Sequence, residues 1–411
     1  MSFEIRPIAN TDEDWQRFWP VLEAAFGESS VEGESEEWRS NFEFDRSIAV
    51  FEGERIVGTG GAYSMELTLP GLTSVRVGGL TAISVLPTHR RRGILRSMIE
   101  RHFQDVEARG EPLSVLNASE SVIYGRYGYG AATWSSGFEL DTVHGAFADP
   151  PETPGRLRML ETDEAAKLVP AFYDRARRAQ PGELSRGDQE WTIYFRDAQW
   201  HRHGASQHYD VIYETPGGMV DGWVSYRIET HWDAGLAGNV VRVRELQALT
   251  PAARAALWRF CLDLDLASSL QLRARPLDEP LRWLLADPRR LRVTETADDL
   301  WVRLLDVPTA LQARRYATED RLVLEVVDQV RPANHGRFAL EGGPDGATCR
   351  RTQEDPDLRL DVAELGAAYL GGIRFTNLAA AGQVLEGTPG ALHRADLLFS
   401  TTPTPWCTTG F

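Results

Sequence analysis

The stretch VLPTHRRRGILRSM (residues 85–98) decides how the fold of the chain is interpreted. It follows a run of β-branched residues and leads into a helical pattern, which predicts a helix from about Thr88 to about Ala108 directly after a strand. Three arginines, Arg90–Arg92, stand before Gly93 although the chain has a formal net charge of −16. Arginines at the start of a helix oppose its dipole, so they form either a solvated basic turn or a site for a bound phosphate group.

The segments before residue 120 predict one further helix and several strands. Residues 10–27 show helical spacing, with Thr11 or Asp12 as the cap and Gly27 as the end. The strand patterns lie at 3–8, at 47–71 (two strands joined by a Glu-Gly turn), at 75–87 and at 112–119.

A pattern of strand followed by helix occurs twice in the chain. IRPIANTDE (5–13) is matched by LRMLETDE (157–164), and VRVGGLTA (75–82) is matched in the same order by VRVRELQA (241–248). Matches this short also arise by chance, but two in the same order favour a duplicated domain. The helix of the second copy begins with TPAARAAL (250–257), which has one arginine and no glycine, so only the first copy is expected to bind an anion.

The remainder of the chain predicts a third domain. Residues 298–316 predict a strand and a helix, 321–330 and 336–343 a hairpin, and 361–372 a short helix closed by glycines. The proline-rich segment 147–155 marks the first boundary. The expected domains are residues 1–150, 151–289 and 290–411.

Composition and charge disfavour several classes of protein. The acidic balance disfavours nucleic acid as a partner, because phosphate backbones favour basic surfaces. No apolar run is long enough to span a membrane, and the first residues, MSFEIRPIANTDEDW, lack the features of a signal peptide, so a cytoplasmic protein is expected. Three cysteines stand far apart without the paired spacing of a metal site, and no metal is expected: Cys261, Cys349 and Cys407.

The arginine stretch resembles the acetyl-CoA signature of the GCN5-related N-acetyltransferases, Arg/Gln-x-x-Gly-x-Gly/Ala, except that Leu95 stands at the final small position. That departure is expected in one branch, the Eis family, which the whole chain resembles. Besides residues 85–98, the resemblance rests on ASESVIYGRYGYG (118–130), ELGAAYLGG (364–372) and the ending PWCTTGF (405–411). It implies an α+β fold with two tandem acetyltransferase-type domains and a C-terminal domain like sterol carrier protein.

The resemblance also implies which residues contact the acetyl donor. Only the first domain is expected to bind acetyl-CoA, with a strand edge that pairs with the pantetheine amides and an arginine turn that holds the pyrophosphate. A homohexamer is likewise implied. The implied cofactor contacts are Ile83, Ser84, Val85, Arg91, Arg92, Gly93, Ile94, Leu95, Arg96, Ser119 and Glu120.

Two catalytic groups follow from the same resemblance. Tyr124 matches the catalytic tyrosine of the family, whose phenol protonates the departing CoA thiolate. The α-carboxylate of Phe411 matches the general base that takes a proton from the substrate amine. Because the last six residues include tryptophan, cysteine and phenylalanine, whose exposure would waste apolar burial, the chain end is expected to be anchored.

The segment FGESSVEGESEEW (26–38) is the candidate wall of the amine pocket. Its five glutamates form either a solvated acidic loop or, as in the family, part of an acidic and aromatic pocket for polyamines, with Phe26 and Trp38 as wall residues. Asn117 stands where many relatives have a histidine, and the ending TTGF lacks an acidic residue before Phe411. A less negative pocket that accepts different amines is therefore expected.

These features predict an acetyl-CoA-dependent N-acetyltransferase that acts on primary amines of aminoglycosides, polyamines or lysine side chains by direct attack on the thioester. Its expected partners are a small-molecule amine or a lysine-bearing peptide, with no nucleic acid and no membrane. The alternative is a non-enzymatic carrier of apolar ligands, or a regulator, in which the acetyltransferase half has decayed. The intact arginine turn, Tyr124 and the free C-terminus favour the enzyme.

Overall fold

The computed structural model describes residues 3–411, and its first helix has the two ends that the sequence predicts. The side chain of Thr11 caps this helix by accepting a hydrogen bond from the N–H of Asp14 at 3.2 Å. Gly27 ends it in the left-handed conformation, with a φ of 72°. The elements up to Thr133 are β1 (Glu4–Arg6), α1 (Asp12–Phe26), α2 (Glu34–Asn41), β2 (Ile48–Glu52), β3 (Arg55–Thr68), β4 (Ser74–Val85), α3 (Ile94–Ala108), β5 (Leu113–Asn117), α4 (Ser121–Tyr124) and β6 (Gly130–Ala131).

The helix after the arginines begins later than predicted. α3 starts at Ile94 rather than near Thr88, and Pro87–His89 form a single 3₁₀ turn. Arg91 and Gly93 both have positive φ, 62° and 81°, which an α-helix does not accommodate. The predicted start is therefore wrong, because an arginine in the left-handed conformation gives no signal in the sequence.

Residues 134–298 form a compact unit of their own. Within it, α5 and α7 are the helices that follow the two repeated motifs of the second copy. Its elements are β7 (Trp134–Asp141), β8 (Arg156–Leu160), α5 (Thr162–Arg177), α6 (Asp188–Arg196), β9 (Tyr209–Glu214), β10 (Val220–Glu229), β11 (Trp232–Asp233), β12 (Leu236–Ala237), β13 (Asn239–Ala248), α7 (Pro251–Leu262), β14 (Ala267–Pro276), α8 (Leu281–Leu284) and β15 (Arg292–Asp298).

Residues 299–411 form one compact unit together with the chain up to Thr133. After its first strand, this region forms a five-stranded sheet in the order β19-β18-β17-β20-β21, and residues 400–411 form an extended tail. Its elements are β16 (Leu300–Leu304), α9 (Val307–Ala313), β17 (Asp320–Val327), β18 (Gly336–Gly343), β19 (Gly346–Arg351), β20 (Leu358–Asp361), α10 (Val362–Ala368), α11 (Phe375–Ala380), β21 (Val384–Glu386) and α12 (Ala391–Phe399).

The first sheet has the strand order β1-β2-β3-β4-β5-β16-β6. Its neighbouring strands run antiparallel except β4 and β5, which pair in parallel through Val77–Gly79 and Leu113–Val115. β16 pairs with β5 along its whole length, from Leu300 opposite Asn117 onward. The first sheet therefore contains a strand that follows the second copy in sequence.

The second sheet repeats this plan in the order β8-β9-β10-β13-β14-β7-β15, and its parallel pair is β13 and β14. This repeat confirms the predicted duplication. β7 precedes the second copy in sequence but takes the sixth position of this sheet, as β16 does in the first. The boundaries between the compact units consequently lie after Thr133 and before Asp299, whereas the expected domain boundaries lay near residues 150 and 290. A strand pattern predicts that a strand exists, not which sheet it joins.

Two glycines bring the C-terminal region into close contact with the first sheet. A Cβ on Gly130 would lie 1.9 Å from the carbonyl oxygen of Ala363, and a Cβ on Gly366 would lie 2.3 Å from that of Val302. Larger residues would therefore displace the backbone at both positions. The motifs at 118–130 and 364–372, which are far apart in sequence, meet at this contact.

Apolar burial fixes α1 and α3 against the first sheet. Phe18 of α1 and Met98 of α3 are fully buried, in one cluster with Val50 and Val57 of the sheet. Ile94, the first residue of α3, is also buried in this cluster, which places the start of the helix beside the end of β4. No helix within residues 3–411 combines the length and the apolar character needed to cross a membrane.

Candidate active site

The site lies where β4 and β5 separate. Their parallel pairing stops after Gly79 and Val115, while the opposite edge of β5 stays paired with β16 along its whole length. On its other side β4 stays paired with β3 as far as Val85, with an irregularity between Thr59 and Gly61. The edge of β4 from Leu80 onward therefore has no strand partner on the β5 side among the described residues, and it is open to a ligand with peptide-like amides.

The turn after β4 presents backbone N–H groups at the start of α3. Gly93 has no side chain to cap the helix, so the first-turn N–H groups have no local side-chain acceptor. A Cβ on Gly93 would have no atom within 4 Å, so the space beside it is open. Unpaired N–H groups and the positive end of the helix dipole favour a bound anion at this position.

A cavity of about 560 Å³ lies between the open edge, the turn and the loop before α4. Ten of the eleven predicted cofactor residues line it, and further lining residues that the prediction did not include are Arg90 and Arg126. Arg126 stands between two tyrosines in the 118–130 motif, where it gave no separate signal. The predicted residues on the lining are Ile83, Ser84, Val85, Arg91, Gly93, Ile94, Leu95, Arg96, Ser119 and Glu120.

Arg92 is the one predicted cofactor residue that does not line this cavity. Its guanidinium lies 3.1 Å from Oε1 of Glu52 and above the ring of Phe3, with 4.7 Å between the guanidinium carbon and the ring centroid. Arg90 is held differently again, because its Nη2 donates to the carbonyl oxygen of Ala25 at 3.0 Å.

A second cavity of about 590 Å³ adjoins the first, and both are lined by Phe26, Ile83, Ser119 and Tyr124. Both predicted wall residues of the amine pocket, Phe26 and Trp38, line it, as do both predicted catalytic residues. Sequence reasoning missed Trp19 and Glu23, because they stand in a helical pattern typical of an ordinary amphipathic helix. The lining comprises Trp19, Leu22, Glu23, Phe26, Glu28, Ser29, Ser30, Glu34, Trp38, Leu80, Thr81, Ala82, Ile83, Asn117, Ser119, Tyr124 and Phe411.

The acidic segment 26–38 contributes part of this second cavity. Glu28 and Glu34 line it, whereas Glu32 and Glu36 are exposed elsewhere. Glu23 of α1 adds another carboxylate, and hydrogen bonds from the side chain and the N–H of Ser30 lower its pKa. The cavity therefore has negative charge beside aromatic walls, a combination that suits a cationic amine.

Tyr124 lies at the junction of the two cavities with its side chain buried. Burial raises the pKa of its phenol, against a smaller opposing effect of a hydrogen bond with Ser119. The phenol is therefore protonated at neutral pH and can donate a proton toward either cavity.

The end of the chain is packed, as predicted. Trp406, Cys407 and Thr409 are buried, and the ring of Phe411 lies against the backbone of Gly79. The rings of Phe411 and Tyr63 meet edge to face at a centroid distance of 6.4 Å. This packing places the terminal residue on the wall of the second cavity, where β4 and β5 begin to separate.

Asn117 reaches the same cavity from the end of β5. Its Nδ2 donates to the carbonyl oxygen of Asp299 at 3.0 Å, which fixes the orientation of the amide. Its Oδ1 is buried and has no hydrogen-bond partner within residues 3–411. The side chain thus holds the loop after β15 and carries an acceptor but no titratable group.

Three family models match the chain. Residues 4–132 and 182–305 match acetyltransferase (GNAT) domains, and residues 307–408 match a sterol carrier protein domain. An uncharacterized N-acetyltransferase of Streptomyces avermitilis is 43% identical over the full length of both chains. The N-acetyltransferase Eis of Mycobacterium tuberculosis is 33% identical over 95% of each chain. This chain belongs to the Eis family.

A solved structure in this family, Eis1 from Mycobacterium abscessus, is 35% identical and covers 99% of this chain and all of its own, with a TM-score of 0.87. The chain is accordingly an N-acetyltransferase, with two acetyltransferase domains, a sterol-carrier-like domain and acetyl-CoA as co-substrate. The open strand edge and the uncapped helix start provide a fit for its pantetheine and pyrophosphate. Within residues 3–411, no three His, Cys, Asp or Glu side chains gather as a metal site requires.

Proposed function

We propose that this Eis-family enzyme acetylates primary amines of compounds with several positive charges, in particular aminoglycosides, other polyamines or lysine side chains. The observation that carries the proposal is the position of Tyr124, which lines both a cavity suited to the acetyl donor and an acidic, aromatic cavity suited to an amine. A group at that junction is placed to act on the bond that breaks during transfer.

The second cavity supports a cationic acceptor. Glu23, Glu28 and Glu34 supply negative charge, and Trp19 and Trp38 supply aromatic surface for an ammonium group or a sugar ring. Its volume of about 590 Å³ lies in the range of small-molecule sites, so it suits a drug-sized amine or an extended lysine side chain.

The proposed reaction uses one proton acceptor and one proton donor of the chain. The Phe411 carboxylate accepts a proton from the substrate ammonium, and the neutral amine then attacks the thioester carbon. Backbone N–H groups near Val85 stabilise the negative oxygen that forms. As the carbon–sulfur bond breaks, Tyr124 gives its proton to the sulfur and then regains one from the new amide nitrogen. The proton on the carboxylate leaves to solvent.

The alternative, a carrier of apolar ligands, finds less support in the C-terminal domain. A cavity in this domain has a volume of about 210 Å³, below the usual range for ligand sites, and Arg374 and Asp396 are among its lining residues. Arg314 is fully buried in the same domain, between the carbonyl oxygens of Tyr369 and Phe399. Charged side chains at both places disfavour an apolar ligand.

The experiment is an acetylation screen. Release of CoA thiol is measured with acetyl-CoA and separate panels of aminoglycosides, linear polyamines and lysine peptides, and the products are identified by mass spectrometry. Turnover with at least one panel is expected. A thermal shift with lipids but none with acetyl-CoA, together with no turnover on any panel, would instead support the carrier. We also propose the homohexamer, for which light scattering of the purified protein is the test.

A further inference from the structure

Thr59 of β3 makes two contacts across to β4 at the bulge in the active-site wall. Its side chain is fully buried, and its Oγ1 lies 3.0 Å from the carbonyl oxygen of Ala82 and 2.6 Å from Oγ of Ser84. Ser84 is itself 5% exposed. These two hydroxyls and the Ala82 carbonyl are called the β4 clamp below.

The chemistry of the groups assigns the protons of the β4 clamp. A carbonyl oxygen only accepts, and a threonine hydroxyl has one proton, so Thr59 donates to Ala82. The contact with Ser84 must then have Ser84 as donor and Thr59 as acceptor. Both hydroxyl protons therefore form hydrogen bonds within the β4 clamp: Ser84 donates to Thr59, and Thr59 donates to the carbonyl oxygen of Ala82.

The β4 clamp holds a backbone conformation that a residue with a side chain disfavours. Ala82 has a φ of 52°, in the left-handed region, and the pairing of β3 with β4 shifts register beside it. Such a conformation persists only where surrounding contacts fix it. The hydroxyl of Thr59 binds the carbonyl of this same residue.

The clamped segment connects the two cavities. Ala82 lines the amine cavity, Ser84 and Val85 line the cofactor cavity, and Ile83 lines both. A change in the bulge at Ala82 would therefore turn the N–H groups of the following residues relative to the acetyl donor. Misplacement on the order of 1 Å is enough to cost about a hundredfold in rate.

We propose that Thr59 is a positioning residue for acetyl transfer: the β4 clamp sets the bulge that aims the amides of residues 83–85 at the thioester and pantetheine. The inference rests on the proposed placement of the acetyl donor in this cavity. Thr59 lines neither cavity, so its effect would pass through the backbone of β4.

A matched control lies on the same strand. Thr68 is also fully buried in β3, but its Oγ1 has no hydrogen-bond partner within residues 3–411. Thr59→Val and Thr68→Val therefore make the same change of shape and polarity, and only the first removes the clamp. Thr59→Ser retains the hydroxyl and should rescue the function.

The test measures kcat with saturating substrates and the Kd of CoA by calorimetry in the full-length protein. We expect Thr59→Val to lower kcat roughly ten- to hundredfold and to raise the Kd of CoA about tenfold. Thr59→Ser and Thr68→Val should stay within about twofold of wild type. A lower Tm for Thr59→Val with unchanged kcat and Kd would overturn the inference, because the hydroxyl would then serve stability alone.

Two further outcomes keep the test decisive. If Thr59→Val does not fold, Thr59→Ala removes the same hydroxyl with a smaller side chain, and a several-fold loss of kcat and of CoA affinity is expected; no change would contradict the inference. If wild type binds CoA but acetylates no amine tested, a raised Kd in Thr59→Val still supports the clamp, while the proposed function fails.

Discussion

The two copies of the acetyltransferase fold differ at the helix that follows their fourth strand. In the first copy, α3 begins after Gly93 and its N-terminal N–H groups have no side-chain cap. In the second, α7 begins after Thr250, whose Oγ1 accepts a hydrogen bond from the N–H of Ala253 at 3.2 Å. The N–H groups at the start of α3 are therefore available to an external anion, whereas at the start of α7 a side chain of the protein accepts a hydrogen bond from one of them.

The gap between the two parallel strands differs in the same way. In the second copy, β13 and β14 stop pairing after Val243, and the buried Arg275 occupies the space beyond. Its Nη1 donates to the carbonyl oxygen of Leu246 at 2.9 Å, and Glu279 pairs with its guanidinium. Leu246 matches Leu80 in the repeated motif, where the open edge of the first copy begins. A shared fold therefore does not by itself give a ligand site. The site also requires backbone groups, at the strand edge and at the helix start, that no side chain of the protein already binds.

The largest expected effect concerns the end of the chain, whose carboxylate is the proposed proton acceptor. Deleting Phe411 or adding residues after it moves the terminal carboxylate, so kcat should fall on the order of 10³-fold. The Kd of CoA should change little. The measurement compares a C-terminally extended enzyme with an N-terminally tagged one at saturating acetyl-CoA. Equal kcat in the two would remove the carboxylate from the mechanism.

A second prediction tests Tyr124 as the proposed proton donor. Tyr124→Phe keeps the buried ring and deletes the phenol, so the protein should fold while kcat falls on the order of 10²-fold. Because burial raises the pKa of this phenol, loss of its proton should not limit kcat until the pH exceeds the ordinary tyrosine range. A wild-type kcat in the variant, measured from pH 6 to 10, would assign the proton transfer to another group.

A third prediction compares the effects of three arginine substitutions on the KM of acetyl-CoA. Arg91→Ala should raise the KM of acetyl-CoA about tenfold, because Arg91 lines the cofactor cavity. Arg92→Ala should change it much less, since Glu52 and Phe3 hold that side chain away from the cavity. Arg254→Ala, in the helix of the second copy, should leave it unchanged. Equal effects of the first two substitutions would contradict the separation of their side chains.

The smallest expected effect lies in the second copy. Burial raises the pKa of Glu190 from its ordinary value of 4.5 to about 7, with Arg186 opposing. The folded state then binds more protons than the unfolded state between these values, so stability should fall by roughly 1–2 kcal/mol as the pH rises through this window. Glu190→Gln should flatten the dependence of Tm on pH, whereas the exposed Glu152→Gln should not. A slope that persists in Glu190→Gln would point to other groups.

Periodicity and caps predicted about half of the helices and strands but not the grouping of the strands into sheets. The pattern over 10–27 gave α1 with its cap at Thr11 and its end at Gly27, because local side-chain and glycine chemistry determines both. The strand predicted within 298–316 gave no sign that it joins the first sheet, and the strand at 134–141, which lies in the second sheet, was not predicted, since the choice of sheet depends on long-range pairing.

The sequence indicated most of the predicted residues that line the two cavities, because these depend on residue type. It did not indicate how individual side chains are oriented. The arginine turn and the packed chain end were predicted from motifs with a chemical reason, whereas Tyr124 was predicted from the resemblance to the Eis family. The contact of Arg92 with Glu52 and the positive φ of the neighbouring Arg91 have no signal in the sequence. Thr59 went unnoticed because a threonine in a strand is ordinary, and only the structure shows what its hydroxyl binds.

The most direct test of the comparison is the number of CoA molecules bound per chain. Calorimetric titration of the full-length protein with CoA should give one site per chain, and Arg91→Ala should weaken that site. Arg275→Ala, which opens the filled gap of the second copy while Thr250 still caps its helix, should leave the count at one. Two CoA molecules per wild-type chain would contradict the account, because the second copy would then bind the ligand that its own side chains are argued to exclude.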